Sequence, residues 1–482
     1  MFLSKFLPQA LILSFLTIAS AAGYCPLYEV QLYDQKIDHA GNHNGTFKQQ
    51  YQLTQDYYKP GGPLIMYQGA ENGYFSCMEY LSLLSYAAET EALLVGLNHR
   101  YFNESVPFGP ITNASYDWQY LTLDNVMKDS VEFVRFVKQQ VPAAANATTI
   151  VAGGSYGGFL TMMLRLNHPE TFHGAIASAA PVHLECANFP NTTYQWVQPD
   201  YVSNVYEDLS WEIAQSINQS WTVMEEMITK GNGTGVQDEL NLCTAPSNAT
   251  DFFSLQNVLS TGLQRLSQFN YPQAQASSTN VSLPLNHLIK HASNSTSVFA
   301  PLKEYTKITM STVNPATPDC YDWTTGGSAA VGGAGVSMLS FGYIFCTYFP
   351  LTTCGATRPG GIFYPDPPQA LTYEAGVAAN CAAYGNVHLW TPQELSHAYK
   401  LNDQSIANMT NILFTLGQYD PITGYSVGEF ETDGDVHAPR RWYASNTAHT
   451  QDIVAWWEGD SQGVMDQRNA SVAYIKAWTY GG

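Results

Sequence analysis

Thr149-Ile150-Val151-Ala152-Gly153-Gly154-Ser155-Tyr156-Gly157-Gly158-Phe159-Leu160-Thr161-Met162-Met163-Leu164-Arg165-Leu166 decides the reading of this chain. It runs from a β-branched apolar stretch, through glycines around one serine, into residues of helix-forming character. Gly153-Gly154-Ser155-Tyr156-Gly157 fits G-x-S-x-G, a pattern that says little alone. Its setting says more, because strand, sharp turn and helix in that order hold a serine hydroxyl exposed at the end of a sheet. Neighbours without Cβ let the backbone bend and let helix and strand approach. The plain alternative is a glycine-rich turn that only starts a helix.

Working outward, Leu64-Ile65-Met66-Tyr67, Ala92 to Leu97, Thr149 to Ala152 and Gly174-Ala175-Ile176-Ala177 read as buried parallel strands. Helical patterns lie between them, such as Asp124 to Val137. This alternation predicts a doubly wound, mostly parallel α/β sheet over residues 23–182. From His183 to Trp390 the alternation is lost. Asp200 to Lys230 and Asp251 to Phe269 read as helices, while Gly326 to Ser337 and Arg358 to Pro368 are rich in Gly or Pro. Residues 183–390 are therefore expected to form an inserted, mainly helical cap. The α/β texture resumes over 391–482, with a strand at Ile412 to Leu416 and a helix including Val472 to Trp478.

A serine hydroxyl needs a base, and the base needs an orienting acid. In a strand–turn–helix serine fold the acid follows a late strand and the base comes near the end. Gly417-Gln418-Tyr419-Asp420-Pro421 follows Ile412 to Leu416, so Asp420 is favoured over Asp403, Asp433 and Asp435, which lack that strand. Asp420 could also be a simple turn residue. Among later histidines His449 is favoured over His437, because it lies in a loop before an expected helix at Asp452 to Trp457. Oxyanion donors are expected from the Tyr156 N–H and from the loop Gly69-Ala70-Glu71-Asn72-Gly73, with Ala70 the candidate there.

The bulk properties bound the setting. The chain has 482 residues, 45% hydrophobic and 12% charged, enough for a large core. A formal net charge of −20 repels phosphate, which argues against nucleic acid as a partner. Met1 to Ala22 carries Lys5, an apolar run from Leu11 to Ile18 and small residues around Ala21, the pattern of a cleaved signal peptide. That run is too short to anchor the chain in a membrane. N-x-[ST] acceptors recur from Asn44 to Asn469, as in a glycoprotein. The 8 cysteines suit disulfides in an oxidising compartment, with local stapling expected between Cys320 and Cys381. A secreted or vacuolar/lysosomal location follows.

No cofactor and no catalytic metal are expected. His287-x-x-x-His291 lacks the glutamate of a zincin, and Gly326 to Gly335 lacks the ending of a phosphate loop. The oligomeric state is left open, a homodimer included.

Further motifs carry a resemblance. Gln35-Lys36-Ile37-Asp38-His39, Thr46 to Tyr51, Gly62-Pro63-Leu64-Ile65, His99-Arg100-Tyr101 and Glu104 to Gly109 frame the first half. Gly153 to Gly158, Asn411-Ile412-Leu413-Phe414, Gly417, Asp420-Pro421 and Ala448-His449 frame the rest. Together they resemble the serine peptidase family of prolyl carboxypeptidase, dipeptidyl peptidase II and thymus-specific serine protease, in a divergent fungal form. The resemblance implies an α/β-hydrolase fold with a helical cap. It also implies a Ser155, Asp420, His449 triad and cleavage of peptide or protein substrates after proline. The family's Trp-Gln-Cys-acidic cap motif corresponds to Phe341 to Tyr348, which keeps Cys346, and Ile422 stands where the family tends to carry Trp. A lipase or esterase on the same fold, and a non-catalytic glycoprotein, are the rival classes.

Overall fold

The computed structural model describes residues 25, 27–71, 77–183, 197–274, 279, 281–313, 319–324, 336–349, 359–364, 381–430 and 434–481. The expected signal peptide, Asn72, Gly73, Cys186, Cys354, Gly326 to Gly335, Asp433 and parts of 358–368 lie outside these residues.

Eight strands form one sheet: β1 (Gln31–Lys36), β2 (Thr46–Thr54), β3 (Leu64–Gln68), β4 (Leu93–Leu97), β5 (Thr149–Gly154), β6 (Gly174–Ser178), β7 (Ile412–Gly417) and β8 (Arg440–Ala444). Their spatial order is β1-β2-β4-β3-β5-β6-β7-β8. β1 pairs antiparallel with β2, and β2 with β4, while every other pairing is parallel. The fold is the α/β-hydrolase fold, as expected.

Every residue of β3 to β7 is buried, and the alternation of side chains sorts them onto two faces. Leu64, Met66, Val95, Val151, Ala177 and Phe414 join a core that includes Phe133 and Val137 of helix α2 (Leu123–Gln140) and Phe159 and Met163 of α3 (Tyr156–Asn167). Ile65, Leu94, Ile150, Ile176 and Leu413 face the other way, with Leu83 and Tyr86 of α1 (Leu83–Thr90) and Ile475 of the C-terminal helix Gln462–Tyr480.

Between β6 and β7 the chain builds a separate helical core. Its helices are α4 (Val197–Leu209), α5 (Trp211–Thr229), α6 (Gly233–Leu240), α7 (Ala249–Gln268), α8 (Pro284–Ala292) and α9 (Ala300–Val313). Trp221, Leu259, Leu263, Leu288 and Tyr305 are buried together there. α10 (Val336–Tyr348) instead sends Tyr343, Ile344 and Tyr348 into the sheet's α2–α3 face. The expected helix from Asp200 to Lys230 is two helices, because Ser210 takes an extended backbone and its side chain caps the Ile213 N–H.

Among the described residues, disulfides join Cys25 to Cys77, Cys243 to Cys320 and Cys346 to Cys381. Cys320 thus reaches back to the helical core rather than pairing within the 320–381 stretch, while Cys346–Cys381 is the local staple. Among the described residues, no helix is long and apolar enough to cross a membrane.

At the end of β7 the backbone of Gly417 lies so close to the 447–448 loop that a Cβ there would sit 2.5 Å from the Thr447 carbonyl oxygen and 2.9 Å from that of Ala448. Two main-chain oxygens cannot yield as a side chain would. Gly417→Ala is expected to lower stability by about 1–3 kcal/mol, the usual range for overpacking. A urea midpoint equal to that of the parent protein would show that the loop has room to move.

Candidate active site

Ser155 occupies the turn between β5 and α3. Its backbone has φ 57° and ψ −129°, a strained conformation that a residue with a side chain holds only when its surroundings enforce it. Here they do. The Ser155 N–H donates to Ser178 O of β6 at 3.0 Å, and the Ser155 carbonyl accepts from Phe159 N at 3.0 Å as α3 begins. β5 lies beside β3, where the strand order reverses, so the turn opens at the carboxyl ends of the strands, where α/β sheets place their ligands.

Asp420 follows β7 and is fully buried. Its Oδ1 accepts from Ile422 N at 3.0 Å, and its Oδ2 lies 2.8 Å from His449 Nδ1. The structure thus brings these two residues together. His449 is 6% exposed and sits in the loop after β8, a strand the sequence reading did not find. The next residue, Thr450, presses on the serine turn: a Cβ on Gly154 would meet Thr450 Cγ2 at 2.7 Å. The rival residues point elsewhere. Asp403 pairs with His183, Asp435 accepts from His437 N, and exposed His437 contacts Asn411.

The expected helix at Asp452 to Trp457 does not form, and its absence has a cause. The Gln451, Asp452 and Val454 carbonyls are taken by side chains and that of Ile453 by the Ser82 N–H: Arg468 donates to Gln451 O, Asp452 O and Val454 O, Tyr86 OH to Asp452 O, and Ser82 Oγ to Val454 O. The Asp452 carboxylate accepts from Ser178 Oγ at 2.5 Å and Thr415 Oγ1 at 2.7 Å, tying the loop to β6 and β7. From the other side, His449 N donates to Gln268 O at the end of α7, and Tyr271 OH donates to His449 O. Sequence reasoning missed Asp452, Arg468, Gln268 and Tyr271. Arg468, Gln268 and Tyr271 are distant from His449 in the chain, Asp452 reads locally as the start of a helix, and no motif announces any of them.

The remaining electrostatics centre on one imidazole. Burial alone would push the His449 pKa down. The Asp420 carboxylate, by charge and hydrogen bond, together with Glu71 and Asp452, outweighs burial and holds it above the ordinary imidazole range. Glu71 belongs to the loop after β3 and keeps Oε2 buried without a hydrogen-bond partner among the described residues. Burial raises its carboxyl pKa, against the pull of His449. Beside it, Ala70 lies against α3, since a Cβ on Gly157 would be 3.2 Å from Ala70 Cβ. Tyr156 buries its ring, with its hydroxyl 3.4 Å from His99 Nε2. The arrangement provides a serine on a strained turn, with a carboxylate-oriented imidazole in the adjoining loop.

Comparison with known proteins identifies the family. The family model described as serine carboxypeptidase S28 matches residues 35–471. The lysosomal Pro-X carboxypeptidases of Bos taurus and Homo sapiens are each 26% identical, with matches covering 94% of this chain and 88% of theirs. Prolyl carboxy peptidase like protein 5 of Caenorhabditis elegans is 24% identical over 90% of this chain and 86% of its own length. A match that spans the strained serine turn, the Asp420 strand end and the His449 loop places the chain in the serine carboxypeptidase S28 family, and it is a serine peptidase.

Proposed function

We propose that this peptidase acts in the secretory pathway, outside the cell or in a vacuolar or lysosomal compartment, and cleaves peptides on the carboxyl side of proline. Ser155 is the nucleophile, His449 the base, and Asp420 the acid that orients it. The observation that carries this assignment is the 2.8 Å contact between His449 Nδ1 and Asp420 Oδ2, in a loop that abuts the serine turn. Proline specificity and location are supported by the relatives named Pro-X carboxypeptidase and lysosomal, and the disulfides suit an oxidising compartment.

In the proposed reaction His449 Nε2 takes the Ser155 proton as Oγ attacks the carbonyl carbon of the proline residue itself. The tetrahedral oxyanion is held by the Tyr156 N–H and by an N–H of the loop at Ala70. His449 then passes its proton to the leaving amine, giving an acyl-enzyme. Water, deprotonated by the same imidazole, releases the acid. The helical region within residues 183–390 acts as a cap over the site on residues 23–182 and 391–482.

Mass spectrometry of a proline-containing peptide library, sampled across roughly pH 4–8 where carboxyl and imidazole groups titrate, is expected to show cuts after proline, and the fragment lengths report terminal or internal cleavage. A Ser155-dependent pattern without proline, or better turnover of simple acyl esters, would sink the specificity. Asp420→Asn should lower kcat by roughly 10⁴-fold, as loss of the orienting carboxylate does in Ser-His-Asp enzymes. A fall of less than tenfold would assign the orienting role elsewhere.

Glu71 gives a signed pH test. Its negative charge favours imidazolium, and the base must be neutral to act. Glu71→Gln should therefore lower the His449 pKa and move the acid limb of kcat/KM towards lower pH. An unmoved limb, or one displaced upward, would refute the coupling.

A further inference from the structure

One cluster of ligating side chains lies outside the site above. His287 and His291 stand one turn apart on α8, and Glu304 faces them from α9. One ligand atom from each of the three lies within 4.8 Å of the others. His287 Nε2 is 3.1 Å from Glu304 Oε1. The two rings stack with centroids 4.2 Å apart and planes 27° from parallel. Glu304 is buried and His291 exposed. Lys307 Nζ also reaches the Glu304 oxygens, at 3.2 and 3.3 Å.

We propose that His287, His291 and Glu304 form a site for one divalent transition-metal ion of the zinc class, clamping α8 to α9. Spacing of i, i+4 puts both imidazoles on one side of α8, and the facing helix adds a carboxylate that offsets the ion's charge. Two nitrogens and one oxygen suit zinc, copper or nickel, whereas calcium and magnesium prefer all-oxygen shells. Ligands about 2.0–2.1 Å from a common zinc ion stand at most about 4.2 Å apart, so these atoms, within 4.8 Å of one another, need only a small inward movement of the side chains to share one ion. The exposed side at His291 leaves the remaining position to water. Lys307 competes for Glu304 and must turn outward when the ion binds.

The clamp would bear on the catalytic region through α8. Leu283 N, at the start of that helix, donates to Tyr271 O, and Leu285 N donates to Asn270 Oδ1. Asn270 Nδ2 donates to Asn286 Oδ1. Tyr271 in turn holds the His449 carbonyl. An ion fixing α8 therefore stiffens the segment that carries the imidazole loop.

The test is zinc titration of the full chain, first stripped with a chelator, at near-neutral pH. Competition with a chromogenic chelator gives affinity, and thermal melting gives the effect on folding. The parent should bind one zinc per chain at this site, with Tm rising as zinc is added. His291→Ala, at an exposed position, should weaken binding by more than the roughly 10–100-fold that changes outside the ligand shell cost. Lys307→Gln should tighten binding, which a purely structural lysine would not do. Ser155→Ala should bind zinc as the parent does, separating this site from the serine site. Circular dichroism checks that each variant is folded. No zinc bound by the parent, unchanged affinity in folded His291→Ala, or unchanged or weaker binding in Lys307→Gln would overturn the proposal.

Discussion

The contact between His449 and Asp420 depends on a main-chain constraint more than on either side chain. β7 and β8 run parallel, with Gly417 in register with Ala444. The loops leaving their carboxyl ends must pass each other at van der Waals distance, and only a residue without Cβ allows it. Around that approach Thr423 Oγ1 donates to Gly417 O, Tyr419 N donates to Thr447 O, and Tyr419 OH donates to Asn446 Oδ1. With the two backbones fixed, a short aspartate side chain suffices to reach the imidazole.

The electrostatic cost of this site is concentrated. A buried imidazole disfavours its cation, yet Asp420, Glu71 and Asp452 all favour it. Of these, Asp420 takes a backbone N–H and the imidazole, and Asp452 is satisfied by two hydroxyls. Glu71 alone keeps a buried oxygen without such a partner among the described residues. Buried carboxyl groups with perturbed titration cluster where chemistry is done.

Much of this was legible in the sequence, for identifiable reasons. β3 to β7 are covered on both faces, so each reads as a plain apolar run. The serine turn carries glycines at the positions that bend, and Asp420 follows a strand that could be recognised. β1, β2 and β8 escaped notice because they are rich in polar side chains and lie at or near the sheet's edges. The misreading of Asp452 to Trp457 has the opposite origin. Its local pattern suits a helix, but Arg468, Tyr86 and Ser82 claim its carbonyls from elsewhere in the chain, and tertiary hydrogen bonds outweigh local propensity. The helices between β6 and β7 were visible by periodicity, whereas their anchorage to the His449 loop was not.

That anchorage changes what kind of part the helical region is. A lid that only covers a site can swing open and leave the chemistry ready beneath it. Here the backbone N–H of His449 is held by the last residue of α7, and its carbonyl by Tyr271 a few residues on. Raising this end of the helical region would release His449 from both main-chain partners at once. On the proposed assignment of His449 as the base beneath a helical cap, entry by such a motion would disarm the enzyme, and substrate would either thread in past a stationary roof or be accepted in a resting form that rearms as the roof settles.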